Sequence, residues 1–246
     1  MRASSTIIQT TPTSPLTSSS FYIFCKNGRI NSDVRLSTLL AELSLIEWDF
    51  VCFSETRCLS QDVTLEGGHR LITSLSSPGA SGVAILINAK YTKMISKKII
   101  VSDRVISVDL KLKTKHLRLI SVYVPHAGYS WDEFDDCMTD TGRLVMEAVD
   151  QNKHILIGGD FNLTLYHGDR GRYMQDFCGQ HNLFVANSEG DDTDENVWTF
   201  KSSLGTLRRI DFILGSYGLQ LENAAATRDI DLGSDHRTIK ALFSFQ

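Results

Sequence analysis

The sequence lacks the marks of several protein classes. None of its apolar stretches approaches the roughly 20 residues that a transmembrane helix requires. Its five cysteines are odd in number and show no Cys-x-x-Cys spacing, which argues against a disulfide framework and against a zinc knuckle. We therefore expect no membrane contact and a reducing, intracellular compartment.

Positive charge is also scarce. The 25 Lys and Arg residues are outnumbered by 29 Asp and Glu residues, which gives a formal net charge of -4. Since non-specific coating of nucleic acid requires positive charge, any such binding must depend on local basic patches. Lys111, Lys113 and Lys115 alternate with uncharged residues, which is typical of the solvated face of an edge strand; a track for phosphates is the alternative.

The composition predicts one large domain behind a short tail. Residues 1–20 contain eleven Ser or Thr and a single charged residue, so they resemble neither a secretory signal nor a transit peptide. We expect them to be a disordered extension. Residues 21–246 are expected to form the domain, since 42% of the chain is hydrophobic.

Apolar periodicity predicts a mixed α/β order. Helical spacing covers residues 34–45, 131–149 and 173–181. Strand patterns cover residues 21–25, 50–53, 83–87, 99–101, 105–112, 117–124, 155–158, 183–186, 197–201, 209–214 and 239–244. The turn residues at 78–82 and the four strands that follow suggest an antiparallel meander, and the acidic segment at 191–195 suggests a solvated loop. Two mixed sheets packed face to face, with helices outside, satisfy this order.

Four polar segments stand next to apolar runs. They are Ser-Glu-Thr-Arg at 54–57, Gly-Gly-Asp-Phe-Asn at 158–162, Arg-Arg-Ile-Asp at 208–211 and Gly-Ser-Asp-His at 233–236. Because each lies where a predicted strand meets solvent, we expect a single active site assembled from four strand ends. Carboxylates, an amide and an imidazole are the groups that a hard divalent cation and a phosphate ester require.

The first two segments suggest metal binding and water activation. Glu55 comes one residue after a run of four apolar residues and is placed to bind magnesium, whereas a surface ion pair with Arg57 is the alternative. Asp160 and Asn162 are two residues apart, so in an extended segment both would project to the same side and reach one water. An Asx turn closing the strand is the alternative.

The remaining polar residues suggest stabilisation of a phosphoryl transition state. Asp211 would accept from one nitrogen of His236 and leave the other nitrogen for substrate, and Asp235 would add an oxygen to the metal site. An exposed loop histidine and aspartate are the alternative. Tyr123 ends an apolar run and would hydrogen-bond a phosphate oxygen, unless it is an ordinary strand tyrosine.

Taken together, these motifs resemble the endonuclease/exonuclease/phosphatase superfamily, in particular the abasic-site-endonuclease-like nucleases of non-LTR (LINE-type) retrotransposons. Five motifs occur in the family's order from about residue 21 to the C-terminus. They are Glu-Thr at 55–56, Tyr-Val-Pro-x-Ala-Gly from 123, Gly-Asp-Phe-Asn from 159, Arg-x-Asp-Phe-Ile-Leu from 209 and Ser-Asp-His from 234.

The resemblance implies a four-layered α/β sandwich of two mixed, mainly antiparallel sheets flanked by helices, with the site between the sheets at one edge. It assigns water activation to Asp160, the scissile phosphate to Asn162 and Tyr123, the orientation of His236 to Asp211, the metal to Glu55, Asn27 and Asp235, and substrate contacts to His126, Thr199, Arg209 and Ser234.

The implied reaction is magnesium-assisted attack of water on a phosphodiester, with Mn²⁺ as a substitute, leaving a 3′-hydroxyl and a 5′-phosphate. The implied substrate is double-stranded DNA, cut in the nucleus by a monomer whose nick would prime a reverse transcriptase outside this chain. An abasic-site repair nuclease or another phosphoesterase of the superfamily is the first alternative. A decayed copy that binds nucleic acid without cutting it is the second.

Two positions depart from the family. One is His126, where the family often has Asn, although a histidine can still donate to phosphate. The other lies in the first strand, which in the family usually ends in Trp-Asn-x-(Asn/Asp)-Gly, while this chain reads Phe-Cys-Lys-Asn-Gly at 24–28. Asn27 matches the second polar position, but Cys25 takes the place of the first Asn. Because a thiol cannot match the donors and acceptors of an amide, we expect lower metal affinity or turnover.

Overall fold

The computed structural model describes residues 20–74, 82–190, 194 and 197–246. Apart from Ser20, Gly82 and Asp194, the predicted extension at 1–20, turn at 78–82 and acidic loop at 191–195 lie outside the described residues. The proposed limits of the domain stay a prediction.

Strands outnumber helices in the described chain, as the sequence predicts. The helices are α1 (Asp33–Leu43), α2 (Trp131–Asp150) and α3 (Gly168–Gln180). The strands are β1 (Ser20–Asn27), β2 (Phe50–Ser54), β3 (Asp62–Thr64), β4 (Arg70–Thr73), β5 (Val83–Ile87), β6 (Ile95–Ile100), β7 (Val105–Lys111), β8 (His116–Tyr123), β9 (His154–Asp160), β10 (Leu183–Val185), β11 (Phe200–Lys201), β12 (Leu207–Arg208), β13 (Asp211–Ser216), β14 (Leu219–Thr227) and β15 (Thr238–Phe245).

Two large sheets carry the architecture. The first has seven strands in the order β14-β15-β1-β2-β5-β4-β3, and the second has six in the order β10-β13-β9-β8-β7-β6. Strands β1 and β2 pair in parallel, as do β8 and β9, and every other pair in the two sheets is antiparallel. Strands β11 and β12 form a separate two-stranded ribbon.

The apolar faces of the elements define four layers. One core, including Phe50 and Leu119, fills the space between the two sheets. Leu39 and Leu43 place α1 on the outer face of the first sheet, and Phe134 belongs to the core that α2 and α3 form on the outer face of the second. This arrangement confirms the predicted four-layered α/β sandwich.

Local signals explain where α2 begins. Ser130 accepts from the backbone N–H of Glu133, and the Glu133 side chain accepts from the Ser130 backbone, which is a capping box. Among the described residues, no helix is both long enough and apolar enough to cross a membrane.

Two expectations about strand pairing are wrong. The strand at 83–87, β5, pairs with β2 and β4 of the first sheet, so it does not belong to the meander that β6, β7 and β8 form in the second. Lys111 ends β7, which lies between β6 and β8 and is therefore no edge strand. An apolar pattern shows that a strand is buried, but it does not show which strand lies beside it.

Candidate active site

Three strand ends of the second sheet are aligned by register. In the ladder, Tyr123 of β8 pairs with Asp160 of β9, and Asp160 pairs with Asp211 of β13. Adjacent paired residues place their Cα atoms about 5 Å apart, so the three side chains emerge at one level of the sheet edge. The strands that carry these residues are apolar because both faces of the second sheet are buried.

The first sheet contributes Asn27 and Glu55 to the same place. Asn27 Nδ2 donates to Asp160 Oδ2 at 2.8 Å and lies 3.4 Å from Glu55 Oε1. The Tyr123 hydroxyl donates to Glu55 Oε1 at 2.9 Å. Arg57 also forms a loose ion pair with Glu55 at 3.7 Å. Glu55 therefore makes both the surface ion pair and the contacts within the site.

Two glycines allow close packing at this edge, Gly159 against the neighbouring strand β8 of its own sheet and Gly158 against β2 of the other sheet. A Cβ on Gly159 would lie 2.0 Å from the Val122 carbonyl oxygen, and one on Gly158 would lie 2.9 Å from Cys52 Cβ. The motif before Asp160 therefore needs glycine because no side chain fits there.

Ser54 joins the two sheets, a role that the sequence analysis did not assign to it. Its hydroxyl accepts from the Asp160 backbone N–H at 3.0 Å and donates to the Val122 carbonyl at 3.1 Å. It is fully buried at the end of β2. A small hydroxyl one residue before Glu55, at the point where a buried strand ends, is the signal that sequence reasoning passed over.

Asp211 and His236 form a buried pair. His236 Nδ1 and Asp211 Oδ2 are 2.8 Å apart, and Asp211 is fully buried. The Thr199 hydroxyl accepts from the backbone N–H groups of Ile210 and Asp211, which fixes the start of β13. Asp211 Oδ1 has no hydrogen-bond partner within the described part of the chain.

The electrostatics of the pair favour a charged imidazole. Burial by itself would lower the pKa of His236, but the adjacent Asp211 carboxylate and then Asp160 outweigh it, and the pKa is raised to about 9. Burial, with Asp211 second, raises the pKa of Asp160 to about 7. At neutral pH the site thus combines an imidazolium with a carboxyl group near its midpoint.

The backbone at Asn162 differs from the extended segment assumed above. Strand β9 ends at Asp160, and Asn162 has a φ of 52°. Asp160 Oδ1 accepts from the Asn162 backbone N–H at 2.9 Å, which is the Asx turn of the alternative reading. Asn162 Nδ2 donates to the Val124 carbonyl at 2.9 Å, so the amide is held in one orientation.

Three residues assigned to substrate contact hydrogen-bond to other groups of the protein. Thr199 is fully buried beneath β13. Arg209 is 3% exposed and donates to the carbonyls of Asn187 and Glu189 at 2.7 and 2.5 Å. Ser234 donates to the Asn27 carbonyl at 2.7 Å and accepts from the His236 N–H at 3.1 Å. Their assignment as substrate contacts stays a prediction; in the structure, these polar atoms bond to groups of the protein itself.

Asp235 and His126 stand apart from the compact part of the site. Asp235 is exposed and does not belong to the tight group of Asp160, Asp211 and His236, whose potential ligand atoms all lie within 4.8 Å of one another. His126 is also exposed, and its Nδ1 accepts from the Gly128 N–H at 3.0 Å. Both side chains lie where an incoming ligand can reach them.

Lys26 is a residue that sequence reasoning missed. Its side chain is 1% exposed, and Nζ donates to the His236 carbonyl oxygen at 2.5 Å. Burial lowers the pKa of Lys26 to about 8, against the opposing effect of Asp211. A lysine within an otherwise apolar strand, next to a predicted site residue, was the available signal.

Cys25 is fully buried between the sheets and pairs in register with Cys52. Burial, followed by the nearby Asp211, raises the pKa of the Cys25 thiol. The thiol is therefore protonated at neutral pH, and Asn27 is the polar group that reaches the site from this strand end. The expected cost of the thiol for metal affinity stays a prediction.

The residues present fit a divalent cation. Glu55, Asp160 and the side-chain oxygen Oδ1 of Asn27 are hard oxygen donors grouped where the two sheets meet, and the side chain of Asn27 uses only its Nδ2 for the contacts above. His236 directs Nδ1 to Asp211, so the oxygen donors are the better ligand set.

Curated proteins with sequence similarity include "Craniofacial development protein 2" of Tragulus javanicus. It is 23% identical over 236 residues, covering 88% of this chain and 41% of that protein. The Bos taurus protein of the same name is also 23% identical over 236 residues, covering 88% of this chain and 40% of that protein. The chain therefore spans about two fifths of the length of these relatives.

Solved structures share the fold. The endonuclease domain of TRAS1, described as a telomere-specific non-LTR retrotransposon, has a TM-score of 0.66 at 16% identity, with 92% of this chain and 98% of that chain covered. The 3′-5′ exonuclease NExo of Neisseria meningitidis has a TM-score of 0.70 at 17% identity, covering 91% and 100%. The AP endonuclease LMAP of Leishmania major has a TM-score of 0.69 at 14% identity, covering 93% and 89%. At these identities the likeness shows the fold.

The motif resemblance is confirmed at the level of the superfamily and of similarity to retrotransposon nucleases. Residues 25–236 match the Endonuclease/Exonuclease/phosphatase family, a span that runs from Cys25 through the end of the Ser-Asp-His motif. Because this match covers most of the chain and includes every strand end described above, the protein belongs to the Endonuclease/Exonuclease/phosphatase family.

Proposed function

We propose that this protein is a magnesium-dependent endonuclease that nicks double-stranded DNA and leaves 3′-hydroxyl and 5′-phosphate ends. One observation carries the proposal. The buried His236–Asp211 pair lies beside Asp160, which accepts a hydrogen bond from Asn27 where the two sheets meet. Membership of the family supplies the reaction class of a nuclease or phosphoesterase.

The metal would be held by Glu55 and Asn27. When bound there, Mg²⁺ or its substitute Mn²⁺ supplies Lewis-acid polarisation of a phosphate oxygen. Tyr123 keeps Glu55 in place through its 2.9 Å hydrogen bond. Burial, with Glu55 second, raises the pKa of the Tyr123 phenol above its ordinary value, so the group stays a neutral donor.

Asp160 would take the proton from the attacking water. Its two oxygens are oriented by Asn27 Nδ2 and by the Asn162 backbone N–H. A carboxylate whose pKa is about 7 is a better general base at neutral pH than one of ordinary pKa. Asn162 would contact the scissile phosphate beside it.

His236 would stabilise the negative charge that grows on the phosphate. Its Nδ1 is directed at Asp211, which leaves Nε2 to donate to a non-bridging oxygen. Because the pKa of His236 is about 9, that donor carries positive charge at neutral pH. A charge-assisted hydrogen bond at a phosphate oxygen is roughly twice as strong as a neutral one.

The retrotransposon setting is the finer part of the proposal. The fold covers 98% of the endonuclease domain of TRAS1, a non-LTR retrotransposon, which supports a nicking domain of that type. We propose that it acts as a monomer on nuclear DNA. The 3′-hydroxyl left at the nick would then prime a reverse transcriptase carried outside this chain.

The test is conversion of supercoiled plasmid to nicked circle with Mg²⁺. EDTA and the Asp160→Ala protein should abolish it, and a polymerase should extend the nicks. Cleavage restricted to abasic sites would support a repair nuclease instead. Loss of nucleotides or phosphate from 3′ ends without nicking would support an exonuclease or phosphatase. Binding without any cleavage by the folded protein would support a decayed copy.

A further inference from the structure

A cavity of about 270 Å³ opens beside His236, outside the group of residues that hold Asp160. Its wall brings together cationic side chains from separate parts of the chain. They are Lys26, Lys201, Arg228 and Arg237, against which the wall has the two acidic residues Asp231 and Asp235. This local excess of positive charge contrasts with the formal net charge of -4 for the whole chain.

Two of the cations are available to a ligand. Lys201 ends β11 and Arg228 directly follows β14, and both side chains are exposed. Within the described residues, neither side chain belongs to an ion pair. Lys26, by contrast, is buried and already donates to the His236 carbonyl.

Arg237 and Trp198 also line this cavity and contact each other. The guanidinium carbon of Arg237 lies 3.8 Å from the centroid of the Trp198 ring, so the cation is held over the face of the indole. Trp198 is 6% exposed, and its Nε1 is buried with no hydrogen-bond partner among the described residues. A stacked guanidinium is preorganised for a planar or tetrahedral anion.

We propose that this cavity binds one non-scissile phosphate of the DNA strand being cut. The proposal rests on the proposed function, because His236 forms a wall of the cavity and would also contact the scissile phosphate. The volume lies below the roughly 300–1,000 Å³ typical of drug-sized ligands and suits a single phosphodiester unit. Lys201 and Arg228 supply the charge, and Arg237 supplies a guanidinium held over the Trp198 ring.

The test compares two double variants. Lys201→Gln/Arg228→Gln removes the available cations of the cavity. Lys93→Gln/Lys97→Gln removes two exposed lysines at the outer edge of the second sheet. Lys97 of β6 pairs with Asp109, which pairs with Arg118, five residues before Tyr123. This separation is about 17 Å along the strand. Both pairs carry Asp160→Ala so that bound DNA stays intact.

The cavity variant should bind a DNA duplex roughly tenfold more weakly, with a salt dependence reduced by about one unit of log Kd per log salt. The control variant should match the parent. Replacement of single phosphates by neutral methylphosphonates should then find one non-scissile position that weakens the parent and the control but not the cavity variant. Equal losses in both variants, no such position, or no DNA binding by the parent would each overturn the proposal.

These results separate the two proposals. A protein that nicks plasmid but shows no coupling between any methylphosphonate and the cavity variant keeps its nuclease function and loses the phosphate site. A protein that shows the coupling but fails to nick keeps the phosphate site and loses the proposed function. Melting temperatures of all variants check that the substitutions of exposed side chains leave the fold intact.

Discussion

Asn27 of β1 donates a hydrogen bond to Asp160 of β9 at 2.8 Å, and this contact joins the two sheets at the site. The two residues are 133 positions apart in the chain. A donor from one sheet therefore orients the proposed general base of the other, which makes the site dependent on the packing of the whole sandwich.

Asp160→Asn should abolish most of the nicking while preserving the fold. The amide keeps the shape of the side chain but cannot accept a proton from water, and loss of a general base costs about 10²–10⁴-fold in rate. Plasmid nicking rates and thermal unfolding give the two readouts. Asp150→Asn, an exposed residue at the end of α2, is the matched control. Retained activity with a large loss of stability would show that Asp160 is structural.

The His236–Asp211 pair should make stability fall as pH rises from 6.5 to 9. The folded-state pKa of His236 is about 9 against an ordinary value of 6.5, so the native state binds the extra proton in this window. The stabilisation is fully present below 6.5 and is lost as pH rises through 9. It amounts to at most about 3 kcal/mol.

Urea unfolding in EDTA measures this effect. Asp160→Asn is compared with Asp160→Asn/His236→Gln, because the Asp160 carboxyl titrates close to the same window. The free energy of unfolding should fall more steeply with pH in the protein that retains His236. Parallel curves for the two proteins would show that the imidazole is neutral in the fold.

Lys26→Met should lower kcat about tenfold with little change in KM. The substitution keeps most of the apolar stem but leaves the His236 carbonyl without the donor that holds it at 2.5 Å. A buried acceptor without a partner costs about 1–3 kcal/mol, and the His236 backbone would shift to recover one. Steady-state nicking of a labelled duplex separates kcat from KM. An unchanged kcat would mean that Lys26 only fills space.

Cys25→Asn should lower the Mg²⁺ concentration needed for half-maximal nicking. The thiol lies near Asp211, whose Oδ1 has no partner among the described residues, and an amide there can donate to a carboxylate. Titration of nicking against Mg²⁺ measures the change, and Cys25→Ala tests whether loss of the thiol suffices. If Cys25→Asn and Cys25→Ala behave alike, the departure from the family motif is neutral.

The sequence predicted which polar residues lie at strand ends better than it predicted the hydrogen-bond partners of those residues. Asp160, Asp211 and Tyr123 each end or begin a strand whose apolar pattern is readable from local sequence. Thr199 and Arg209 carry polar groups of the expected kinds, yet both are buried behind the site. Whether a polar side chain faces substrate or protein depends on which distant backbone groups need a partner.

By itself, the sequence determined which residues are available for catalysis, because alternating and continuous apolar runs place polar residues at strand ends. It also determined the family, through the order of its motifs. Only the tertiary structure decided that β5 joins the first sheet, that Asn162 adopts a left-handed backbone, and that Lys26 holds the His236 carbonyl. Those outcomes depend on hydrogen bonds between residues far apart in the chain, and a local pattern does not contain the identity of a distant partner.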